Sequence, residues 1–194
     1  MVGTSGKLII ADGRAKRLLF FDTGGKLVRE IKAGNDGLGG LQGVGAIAVD
    51  VNDNLFVFSL RDGSVAVLAA PTYRVERRFQ LAGAVTDFVA LRDGGVVTYY
   101  PAEEAGVFRR FDRAGGQLGA VHRVTDENLR IFHARVQNGG ITQDSNGDIV
   151  GLHPSAFQLV RMSPDLKVKE ILRGSKGDPW APNPPAFPRG LNPV

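Results

Sequence analysis

The sequence predicts an all-β chain folded as a β-propeller of four-stranded antiparallel blades. Three observations carry that expectation. Helix-period patterns are scarce, and short runs rich in Val, Ile, Leu and Phe recur instead, separated by Gly, Asn and Asp. The runs group into self-similar units of about 40 to 50 residues, the periodicity of propeller blades. Glycine is abundant, 26 of 194 residues, and falls mainly between the runs, where tight turns need it.

The first unit reads KLIIAD (Lys7–Asp12), GRAK, RLLFFD (Arg17–Asp22), TGG and KLVREIK (Lys26–Lys32), and it lacks an opening strand. The second is complete: AIAVD (Ala46–Asp50), the turn VNDN, LFVFSL (Leu55–Leu60), RDGS, VAVLA (Val65–Ala69), a turn around Pro71, and RVERRFQL (Arg74–Leu81). The third runs VTDFVA (Val85–Ala90), LRDGG, VVTYY (Val96–Tyr100), a loop, VFRRFD (Val107–Asp112), RAGG and QLGAVH. The fourth runs GITQD (Gly140–Asp144), SNGD, IVGLH (Ile149–His153), PSA, FQLVRM (Phe157–Met162), SPD and LKVKEIL (Leu166–Leu172). Called A to D in order, strands A and B are apolar, as strands sandwiched between blades should be. Strand D alternates charged and apolar residues, as an outer strand with one wet face does. The repeats therefore fill 1–173, with units near 3–33, 45–81, 84–122 and 139–173, and 174–194 is a Pro-rich arm or closing strand.

The segments IADGRAKRLLFFDTGGKLVREI, AIAVDVNDNLFVFSL and ITQDSNGDIVGLH resemble NHL-type repeats, and NDGLGGLQGVGAIAVD resembles the Gly-rich lead-in to a new blade. The chain is thus similar to bacterial six-bladed propellers of the NHL and TolB-like repeat type. That resemblance covers nearly the whole chain and implies a fold, not an activity. It departs in number, since only about four units are present. The first unit opens at its A-to-B turn, and AFPRGLNPV (Ala186–Val194) looks like the lead-in and strand A of another. Either that segment closes a small four-bladed ring, or the chain is part of a larger one, of six blades by the resemblance, whose missing blades lie in absent sequence or in another chain. Pro193 lacks the amide a central strand donates, which favours the larger ring.

Composition narrows function by exclusion. A net charge of +4 is mild, and the clusters Arg74, Arg77, Arg78 and Arg109, Arg110, Arg113 are each interrupted by an acid. They read as the solvated side of outer strands, so no nucleic-acid partner is expected. No apolar run approaches the length of a membrane helix, so no membrane insertion is expected. The sequence shows no signal peptide, and the compartment is left open, an exported origin included. There is no cysteine, hence no disulfide, thiolate nucleophile or Cys-ligated zinc.

Candidate binding residues sit on the B-to-C and D-to-A loops, which share one face of a propeller around its channel. The longest loop, Val121–Gly139, holds His122, Arg130, His133 and Arg135. His153 closes strand B of the fourth unit and Arg61 opens a B-to-C loop. Trp180 and Phe187, in the Pro-rich tail, are candidate anchors on a neighbouring subunit. The histidines follow no ligand spacing, so no metal is expected. Asp144, Asn146 and Asp148 look like the start of a calcium loop, but Ser155 stands where the bidentate Glu belongs, and a hairpin turn at Asn146-Gly147 is the simpler reading. Gly43, Gly45 and Ala48 lead into a strand rather than a phosphate-binding helix, and no cofactor is expected. Strand A carries only Asp50, Asp87 and Asp144 as acids and no His, so the chain is read as not an enzyme. The leading expectation is a non-enzymatic scaffold with a protein partner or self-association, within a larger bacterial assembly. The alternatives are a fragment of a lactonase- or lyase-type propeller enzyme, and a small-molecule or glycan sensor.

Overall fold

The computed structural model describes residues 6–34, 38, 40–83, 85–100, 107–121, 139–153 and 158–173. All their regular structure is β, in four antiparallel blades arranged as a propeller. Blade 1 has three strands, β1 (Leu8–Asp12), β2 (Arg17–Phe21) and β3 (Leu27–Lys32). Blade 2 has β4 (Ile47–Val49), β5 (Leu55–Phe58), β6 (Ser64–Ala69) and β7 (Arg74–Gln80). Blade 3 has β8 (Asp87–Ala90), β9 (Val96–Tyr99), β10 (Phe108–Phe111) and β11 (Gln117–Val121). Blade 4 has β12 (Gly140–Gln143), β13 (Ile149–His153), β14 (Gln158–Met162) and β15 (Val168–Arg173). Among the described residues blade 1 has no opening strand, and the segment 186–194 that the sequence offers for it lies outside them.

One turn device recurs. Asp50 Oδ1 accepts the amides of Asn52 and Asn54 at 2.8 and 2.9 Å, and Asp144 Oδ1 those of Asn146 and Asp148 at 2.8 and 3.0 Å. Asp22 and Asp112 repeat the pattern at C-to-D corners, onto Gly24 and Lys26 and onto Ala114 and Gly116. A carboxylate that satisfies amides two and four residues on fixes a tight turn, and Gly147 supplies the positive φ (+83°) this one needs. Asp144, Asn146 and Asp148 thus form a hairpin turn, as the sequence indicates.

A bulge marks the same place in every blade, between Phe20 and Phe21, Val67 and Leu68, Arg110 and Phe111, and Arg161 and Met162. It brings the four blades into residue-by-residue correspondence. Strands β5 and β9 are buried on both faces, whereas β7 alternates and β3 is largely exposed. Three apolar clusters cement consecutive blades. Ile9, Leu18 and Phe20 meet Leu55, Val57 and Tyr73 between blades 1 and 2. Phe56, Phe58 and Phe79 meet Phe88, Tyr100 and Phe111 between blades 2 and 3. Tyr99 and Phe108 meet Ile149, Val160 and Met162 between blades 3 and 4. Each large side chain removed from water in these seams stabilises the stack by about 1.5–3 kcal/mol.

The arginine clusters are not simply a solvated outer face. Arg77 lies over the rings of Phe56 and Phe79 and donates to the carbonyls of Gly94 and Arg113 in the next blade. Arg109 is buried, its guanidinium 4.2 Å from the Tyr100 ring centroid. Arg110 bonds Asp93 in its own blade and Asp165 and the Pro164 carbonyl in blade 4. The alternation of charge along these strands was visible in sequence; that neighbouring blades stand close enough to take up the guanidinium groups was not.

Candidate functional site

The innermost strands are β4, β8 and β12, with β8 packed between the other two. Two ends of this inner wall offer different chemistry. At the A-to-B turns, a cavity of about 450 Å³ is lined by Val51, Leu91, Arg92, Asp93, the turn 143–147 and Pro164. Its carboxylates are already engaged. Asp144 caps its own turn and meets Arg161, and Asp93 holds the Gly95 amide and Arg110. Those acids build corners.

Asp87 stands at the opposite end of β8 and does something different. Its Oδ1 accepts the Phe88 amide at 2.9 Å, and its Oδ2 accepts the Ile141 amide of β12 at 3.1 Å. It is paired in register with Tyr99, on the face of blade 3 turned towards blade 4. Burial raises its pKa above the ordinary aspartate value, and the Ile141 and Phe88 amides only partly offset this. The neighbouring Tyr99 phenol is itself pushed up to about 12 by burial. Gly139 and Gly140 make room for the pair, since a side chain at Gly139 would collide with the Tyr99 hydroxyl and one at Gly140 would press on Asp87 Oδ2 at 3.3 Å. On the same end of the fold, the Thr86 hydroxyl donates to the Tyr99 carbonyl at 3.2 Å and the Tyr100 hydroxyl to the Ala82 carbonyl. The result is a half-buried carboxylate of raised proton affinity at the mouth of the inner wall, a group able to take up and return a proton. Among the described residues no three His, Asp or Glu side chains converge as metal ligands.

Of the residues singled out in sequence, Arg61 lies exposed on the B-to-C corner of blade 2, and His153 ends β13 at the corresponding corner of blade 4. His122, Arg130, His133, Arg135, Trp180 and Phe187 lie outside the described residues. Asp87 was seen as a strand A acid but not as a site. A signal for it exists: Asp50 and Asp144 each precede an Asn- or Gly-containing turn, whereas Asp87 sits inside VTDFVA with no turn beside it.

The sequence matches no protein-family model and no curated protein. Its fold is that of solved propeller structures. Streptogramin B lyase aligns with a TM-score of 0.63 at 11% identity, over 91% of this chain and 54% of that one. Virginiamycin B lyase from Staphylococcus aureus aligns with a TM-score of 0.61 at 13% identity, over 91% and 55%. A Bacteroides fragilis protein described as exported aligns with a TM-score of 0.68 at 14% identity, over 90% and 48%. The chain spans about half the length of these structures. At such identities the likeness is one of fold. It nevertheless corrects the expectation of a non-enzymatic chain, because two of these neighbours are lyases: the absence of a recognised catalytic motif in the repeats does not set this fold apart from enzymes.

Proposed function

We propose that this chain belongs to a propeller enzyme of the lyase type, with Asp87 as the acid–base group at the mouth of its inner wall. The observation that supports the reading is the Asp87 environment: an inner-strand carboxylate, held by amides of two blades, whose burial raises its pKa. A lyase breaks a bond by elimination, which requires removal of a proton from the substrate and its transfer towards the leaving group. A carboxylate raised towards working pH is suited to both steps. The resemblance to NHL and TolB-like repeats bears on the repeat type and leaves the reaction to this site.

The lyase neighbours supply the first substrate to try, quinupristin, which is bound in one neighbouring virginiamycin B lyase structure. Incubation of the full chain with quinupristin, followed by chromatography and mass spectrometry, tests the reading. The expected result is conversion to a product carrying a new double bond and no added water. Unchanged quinupristin, or a product that has gained water, overturns it.

A further inference from the structure

The bulge correspondence exposes a pattern that no single blade shows. Each blade turns one row of side chains towards the next: Ile9, Phe20, Arg29 in blade 1; Ala48, Phe56, Val67, Arg77 in blade 2; Val89, Val97, Arg110, Gly119 in blade 3; Thr142, Val150, Arg161, Glu170 in blade 4. Every row carries one arginine, on strand D in blades 1 and 2 and on strand C in blades 3 and 4. In three of the four, that arginine reaches the C-to-D corner of the following blade. Arg29 donates to the Thr72 carbonyl, Arg77 to the Arg113 carbonyl, and Arg110 to the Pro164 carbonyl at 3.3 Å. Arg161, in blade 4, folds back on Asp144 and Asp148 of its own blade.

The apolar neighbours of Arg161 tell the same story. Leu152, Leu159 and Leu172 form the next row on that face, and they are 44%, 42% and 54% exposed. Their counterparts Phe58, Val65 and Phe79 in blade 2, and Tyr99 and Phe108 in blade 3, are buried in seams. Blade 1 shows the complementary surface. Leu8 and Ile10 are 38% and 41% exposed, whereas Leu55 and Val57, at the same positions of blade 2, are fully buried against blade 1. Among the described residues, no apolar cluster joins blade 4 to blade 1.

We propose that a second copy of this chain docks head to tail, blade 4 of each copy on blade 1 of the other, with Arg161 donating to the Thr23 carbonyl across both seams. Thr23 follows Asp22 in the C-to-D corner of blade 1, as Arg113 follows Asp112 and Pro164 follows Ser163 in the corners already clamped. The face that blade 1 leaves exposed matches, position for position, the face that blade 2 buries against blade 1, so blade 4 of a second copy finds on it the seam the other blades make. Two identical heterologous contacts then close a ring under twofold symmetry and leave no sheet face bare. The proposal rests on the enzymatic reading only in that it closes the ring whose inner strand β8 carries Asp87. Its test reads assembly, not turnover.

The absence of cysteine makes the test clean. The full chain carrying Thr23→Cys and Arg161→Cys is treated with a short bis-maleimide, and the wild type is weighed by sedimentation equilibrium. The expected results are a wild-type mass of twice the 20.8 kDa chain and a cross-linked dimer in the double variant only. Ile10→Lys and Leu159→Lys, each on a bare face outside the buried clusters, should each shift the wild-type dimer to monomer with an unchanged β circular-dichroism spectrum. A monomeric wild type, a cross-link within one chain, or an open-ended ladder of cross-linked species overturns the proposal.

Discussion

Phe108 lies so close over Gly151 that a single methyl group at position 151 would collide with its ring. The contact joins β10 of blade 3 to β13 of blade 4, and Phe108 also stacks at a tilt on Tyr99, ring centroids 5.7 Å apart. Glycine is present in β13 because a neighbouring ring occupies the space a side chain would take, not because the backbone needs a positive φ.

Gly151→Ala should therefore destabilise the protein by about 1–3 kcal/mol through overpacking, and Gly151→Val by more. Urea titration followed by circular dichroism measures this. Phe108→Leu in the Gly151→Ala background should recover part of the loss, since it vacates the contested volume.

Arg77 joins blade 2 to blade 3 by two carbonyl contacts and two aromatic faces. Arg77→Ala should cost about 1–3 kcal/mol, because the part-buried Gly94 carbonyl and the exposed Arg113 carbonyl lose their donor together with the ring contact. Arg77→Lys should restore less than half of that loss, since an ammonium cannot span both carbonyls as the planar fork does. Thermal melts of the three proteins at one pH compare them.

Asp50 satisfies the Asn52 and Asn54 amides and also accepts the Asn54 side-chain amide at 3.0 Å. Its replacement by Ala opens the β4–β5 corner and should cost about 1–2 kcal/mol. Asp50→Asn keeps one acceptor oxygen and should cost less. The difference is read from denaturation midpoints at neutral pH.

The pH dependence of stability has two opposed contributions. Asp87 is raised in the folded protein, chiefly by burial, so its share of stability is present below pH 3.8 and is lost as pH rises through its folded pKa. Asp148 is lowered, chiefly by its bond to Lys169, so its share is present above pH 3.8 and is lost as pH falls through its folded pKa. Asp87→Asn should thus melt higher than wild type at pH 7 and lose that advantage below pH 3.8. Melting curves from pH 3 to 8 measure the crossing. A residue whose removal stabilises the fold is one retained for a reason other than stability.

The four repeat units, their strand order and their corner chemistry were legible in sequence because each is local, whereas the blade count of the finished ring was not. Period-two apolar runs define strands, and an Asp followed by Asn or Gly defines the corners, as at Asp50, Asp112 and Asp144. What lies between blades was not legible. Asp87 gains its raised pKa from burial, which the Ile141 amide 54 residues away only partly offsets, and no local pattern reports that approach of blade 4. The clamp arginines were hidden by a change of strand: Arg77 stands on β7 opposite Val67, whereas Arg110 stands on β10 opposite Gly119, so aligned repeats show no arginine column. Loop residues such as Arg61 were favoured because loops commonly carry function, yet the described carboxylate whose pKa is raised sits in a strand.

The most direct test of the central claim, that Asp87 is the acid–base group of a lyase-type site, is kcat/KM for quinupristin turnover by wild type and Asp87→Asn under identical assembly. The predicted result is a loss of at least about a hundredfold, carried by kcat, in a variant that melts no lower than wild type at pH 7. Equal turnover by the two proteins would contradict it.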